Sequence, residues 1–129
     1  MVESFFHMDQ NTPYLFINND GICTVIELLN NRFATLSILI NCKPGAVARQ
    51  DLISIFDQCT VYKLEKCFVD NFSHGEEVVL VPVNPTCAFQ LVRIVKFVDY
   101  TVDGKLYIDV KSHRVEVDAS NYTLFKMKV

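Results

Sequence analysis

The most polar cluster in the chain is Ser73-His74-Gly75-Glu76-Glu77. An imidazole beside two carboxylates is the raw material of a general base held by a neighbouring acid. His74, Glu76 and Glu77 are therefore the candidate catalytic residues. No motif supplies a nucleophile, and Ser73 lies outside a G-x-S-x-G elbow. A loop in contact with solvent accounts for the same polarity, and a turn accounts equally well for Ser112-His113-Arg114. A second set, Cys59, Cys67, His74 and Cys87, has the ligand types of a zinc site, but the spacings contain neither a CxxC nor an HxxxH knuckle. No metal and no cofactor are expected. Asn71-Phe72-Ser73 and Asn121-Tyr122-Thr123 match the N-x-[ST] pattern, and turn chemistry already explains both asparagines.

The totals exclude several function classes. The 129 residues include 12 Lys and Arg against 15 Asp and Glu, a net charge of −3. Phosphate contacts need clustered cations, and these are scattered, so nucleic acid is a disfavoured partner. Ten Phe and five Tyr could stack bases in an oligonucleotide-binding barrel, but no aromatic-plus-basic interleaving accompanies them, and core filling is the default role. Four glycines are too few for a phosphate-cradling loop beyond their turn duties. No run of 18 apolar residues exists, so no membrane span is expected. The start lacks the basic and apolar regions of a secretory signal. Five cysteines, an odd and irregularly spaced set, fit reduced thiols in a cytoplasmic or nuclear protein.

The elements that would position any site read as strands. Leu91–Val102 and Lys105–Val110 flank Asp103-Gly104, a strong hairpin signal. Even residues Leu106, Ile108 and Val110 form the core face after the turn. A three-residue loop, Val102-Asp103-Gly104, would pair Tyr100 with Leu106 and Val98 with Ile108, keeping even positions inside on both strands. That register sets Lys96 against Val110 on the buried side. Further strands are expected at 14–17, 22–28, 32–42, 61–69, 78–83, 87–90 and beyond 115, with parity switching from even to odd at Lys111–Arg114 and Phe125, Met127 and Val129 keeping the odd face. Lys43-Pro44-Gly45-Ala46 has the composition of a type II turn. Ala48, Leu52, Ile55, Phe56 and Cys59 recur at helical spacing and predict one short helix near 47–59. No internal repeat is visible.

These elements predict an all-β, mostly antiparallel fold: a β-sandwich or small barrel of about eight or nine strands. Residues 1–12 form a leader that is either loose or tucked in through Phe5 and Phe6, and 13–129 form one β-rich domain. Mean hydropathy is high, at +0.22, and reactive groups are few. The expected function is therefore non-enzymatic: an intracellular protein acting through protein–protein contacts or as a homo-oligomer, a profile that would suit an accessory or structural protein of a virus. Pro82 lacks a ladder donor, which places 78–83 at an edge or ends it there. Val78, Leu80, Leu124, Phe125 and Met127 are the candidate interaction residues. The alternatives are a small hydrolase or transferase using the 72–77 loop, and an oligonucleotide-binding barrel.

Overall fold

The structure is a computed structural model that describes residues 1–31, 34–83 and 91–128. Among the described residues it is mostly antiparallel β with a single α-helix, α1 (Arg49–Asp57). Ten strands follow in chain order: β1 (Pro13–Ile17), β2 (Cys23–Asn31), β3 (Thr35–Ile40), β4 (Lys43–Ala48), β5 (Thr60–Cys67), β6 (Glu77–Pro82), β7 (Arg93–Tyr100), β8 (Lys105–Val110), β9 (His113–Asp118) and β10 (Tyr122–Lys128). The chain divides into two compact units, 1–65 with the last two residues, and 66–127.

In the first unit the strands lie in the order β4-β3-β2-β1-β5. Its core holds Tyr14, Phe16, Ile26, Leu28, Leu36, Ile38 and Val61, with Leu52 and Phe56 of α1 packed on them. Of the helical stripe read from the sequence, α1 buries Leu52 and Phe56, while Ile55 is exposed and Ala48 and Cys59 flank the helix. The leader is tied to this core. Phe5 is buried edge-on to Phe56, Met8 is buried and Phe6 is exposed. Val2 N–H donates to the Val61 carbonyl at 2.8 Å, and Asp9 N–H donates to the Tyr14 hydroxyl at 2.7 Å.

In the second unit the order is β10-β6-β7-β8-β9. Val78, Leu80, Val95, Phe97, Leu106, Ile108 and Leu124 form its core. In neither unit do the two end strands pair with each other among the described residues, so neither unit closes into a barrel.

The two units share one strand plan, although no repeat is visible in the sequence. Each is a four-stranded meander, then a helical crossover, then a fifth strand beside the first. The third and fourth strands meet in a two-residue turn with both φ positive: Asn41 (50°) and Cys42 (69°), Lys111 (50°) and Ser112 (68°). Such left-handed pairs match the twist of a tight hairpin. The second strand carries a bulge at the same place in each, between Leu28 and Asn30 and between Phe97 and Asp99. From these anchors the registers correspond residue for residue. Leu36 matches Leu106 and Ile38 matches Ile108, all four buried. Lys63 matches Lys126, and each pairs with an acid ahead of its unit's first strand, Asp9 at 3.1 Å and Glu76 at 3.2 Å.

Several sequence expectations are corrected here. Lys43–Ala46 is not a turn. The reversal falls two residues earlier, and Pro44 lies in end strand β4, where its missing N–H costs no ladder bond on the open side. The hairpin loop is Val102-Asp103-Gly104, with Gly104 at φ 91° and Tyr100 opposite Leu106. The bulge then pairs Phe97, not Val98, with Ile108. An extra residue reverses facing, so Val95 and Phe97 are buried while Lys96 is exposed opposite Asp109. Strand β6 is not an edge: it lies between β10 and β7, ending at Pro82. On β10 Leu124 packs into the unit's core cluster, and Phe125 of the odd set is buried as well, while Met127 is half-buried. The expected strand at 87–90, Cys87 and Val129 lie outside the described residues.

Candidate functional site

Hydrogen bonds and an ion pair hold the 72–77 loop in place. Glu76 Oε1 accepts from Ser73 N–H at 2.7 Å, while its Oε2 meets the Lys126 ammonium at 3.2 Å. The Ser73 hydrogen bond first, and Lys126 second, hold the Glu76 carboxyl below its usual range. Gly75 N–H donates to the Phe97 carbonyl and Phe97 N–H to the Glu76 carbonyl, both at 2.8 Å, so the loop extends the β6–β7 pairing. Lys126 also donates to the Asn71 carbonyl at 2.6 Å and sits 5.0 Å from the centre of the Phe72 ring. His74 and Glu77 are exposed, and the loop's charged pairing engages Glu76 instead. Asn71, from the N-x-[ST] match, accepts from Phe68 N–H at 2.7 Å.

Among the described residues no three metal-capable side chains converge. Burial pushes the Cys23 and Cys59 thiols up, away from the thiolate that nucleophilic attack requires. Among the described residues no helix is long and apolar enough to cross a membrane.

Of the five candidate interaction residues, Val78, Leu80, Leu124 and Phe125 are buried and Met127 is half-buried. A side chain that fills a monomer's core cannot reach a partner without unfolding. Leu80 alone among them lines the concavity described next.

Each unit carries an apolar groove. In the first it has a volume of about 400 Å3 and is lined by Phe16, Ile22, Thr24, Ile40 and Cys59, with Ile55 from α1. In the second it measures about 270 Å3 and is lined by Leu80, Leu91, Arg93, Val110 and Tyr122, with Val115 and Val117 from β9. The strand registers make these the same groove. Phe16 matches Leu80, Thr24 matches Arg93 and Cys59 matches Tyr122. Ile22 and Leu91 each stand two residues before the Thr24 and Arg93 pair, and Ile40 and Val110 each precede the two-residue turn. Each groove carries one strongly exposed aliphatic: Ile22 is 58% and Leu91 60% exposed.

Sequence reasoning missed both grooves because Ile22 and Leu91 read as ordinary strand openers. The available signal was a large aliphatic residue two positions ahead of the strand's alternating pattern. Set against protein-family models, curated proteins and solved structures, the chain matches none.

Proposed function

We propose that the protein is a non-enzymatic binding module that holds extended segments of other proteins by apolar side chains seated in its two grooves. The observation that carries this reading is the recurrence of one groove at five matched positions in both units. Both copies place a large exposed aliphatic, Ile22 and Leu91, at the same position beside the apolar lining. Apolar concavities with a few polar rim groups are the usual form of a recognition site. Here Asn18 and Asp20 edge the first groove and Arg93 edges the second. The two sites therefore share an apolar anchor and differ in flanking charge, with an acid at one and a base at the other. Two sites on one chain also allow a partner with two anchors to bind far more tightly than either anchor alone, by about 10²–10⁴-fold when the linker fits.

The test is a titration of isotope-labelled protein with a Gly/Ser peptide carrying one central Leu, followed by amide chemical shifts. Shifts are expected around Ile22 and Ile40 and around Leu91 and Val115. Ile22→Asp should abolish the first set only, and Leu91→Asp the second set only. No shifts at millimolar peptide, or shifts indifferent to both substitutions, would refute the reading.

A further inference from the structure

The duplication leaves two matched end strands, and they differ in the feature that governs edge pairing. We propose that β9 is a self-recognition edge, joining antiparallel to β9 of a second copy in a single register that sets Arg114 of each chain opposite Glu116 of the other.

The argument begins with hydrogen-bond direction. Among the described residues β9 pairs only with β8, and His113–Glu116 are exposed. A two-residue turn closes on a hydrogen-bonded pair, here Val110 and His113. Alternation then turns the backbone groups of His113, Val115 and Val117 toward β8, and those of Arg114, Glu116 and Asp118 outward. The same alternation on β4 places Pro44 at the position of Arg114. Proline has no N–H to offer, so β4 is blunted against strand addition where β9 is open.

Side-chain charge then selects the register. In a symmetric antiparallel pair the outward residues must face one another. Setting Arg114 against Arg114 opposes like charges, and setting Arg114 against Asp118 forces Glu116 against Glu116. The remaining central register sets Arg114 against Glu116 twice by symmetry and Val115 against Val115. Opposite charges placed directly across strands stabilise, and like charges destabilise. Arg114 is free to serve: its side chain is 63% exposed and its ion pair with Asp109 is long, at 3.9 Å. Val115, 38% exposed at the rim of the second groove, would be covered on the opposite face. This inference extends the contact-forming reading above, but stands on the edge of β9 and not on occupancy of the grooves.

Sedimentation equilibrium from about ten micromolar to about one millimolar tests it. The wild-type chain is expected to dimerise. Arg114→Glu and Glu116→Arg should each weaken dimerisation about tenfold or more, by facing like charges across both pairs. The double variant Arg114→Glu/Glu116→Arg should restore the dimer. So should an equimolar mixture of the two single variants, since one then carries two acids and the other two bases. Circular dichroism of each variant separates lost pairing from lost folding, and the mixture serves as an internal control. A wild-type chain that stays monomeric would overturn the proposal, as would a dimer indifferent to both charge reversals or singles that fail to combine. Peptide shifts in the grooves without dimerisation would sink the edge alone, and dimerisation without shifts would sink the grooves alone.

Discussion

Truncation of one core leucine in each unit tests the duplication energetically. Leu36 and Leu106 are both fully buried, at 0% exposure, and each faces a valine across the next strand, Val47 and Val117. Leu36→Ala or Leu106→Ala removes three carbons from a packed site and leaves a cavity, at a cost of about 2–5 kcal/mol. The surroundings differ in one respect: α1 lays Leu52 and Phe56 over the first core, and a three-residue 3₁₀ turn, Ala119–Asn121, stands in its place in the second. Because the strand environment is shared, the two costs should agree within about 1–2 kcal/mol, inside the spread seen at one chemistry. Val102→Ala, at a side chain wholly in solvent, is the control and should change stability by less than about 0.5 kcal/mol. Urea unfolding read by circular dichroism gives all three values. A cost below about 1 kcal/mol at either leucine, or a control that costs as much, would refute the placement of these residues in matched cores.

The acid side of stability should depend on Glu76. Its folded carboxyl is held below the ordinary glutamate range, so its contribution is fully present above that range and is lost as pH falls through the lowered folded pKa. Glu76→Gln should remove that part of the slope, seen as a lower melting temperature near neutrality that converges on the wild-type value as pH falls through the acid range. Turn chemistry offers the opposite sign. Lys111 and Ser112 hold positive φ without being glycine, so Lys111→Asn/Ser112→Gly should stabilise the β8–β9 hairpin by about 1 kcal/mol in urea unfolding. Gly104→Ala should destabilise by about 1 kcal/mol or more, and because open space surrounds that position at φ 91° the cost is backbone strain alone.

Much of the local structure was legible in the residues. Alternation marked most of the strands, the 3.6-residue stripe through Leu52 and Phe56 marked α1, and Asp103-Gly104 marked the hairpin with its loop length. These signals are local, because side-chain facing follows directly from backbone period. Facing beyond a bulge was not legible. Val98 looks like any other strand residue, and the skip in register that buries Phe97 is decided by what lies on β8. The repeat was hidden for a similar reason. A core asks only for apolar side chains of suitable volume, so Tyr14 can match Val78 and Phe16 can match Leu80 while the text of the two halves diverges, and crossovers of nine and three residues blur their spacing. Composition and pattern thus determined that this chain makes antiparallel strands around apolar cores. Only strand pairing, a long-range choice made by packing, decided that the strands form one unit twice, that β6 is interior and β9 an edge, and that Ile22 and Leu91 stand at the lips of matching grooves.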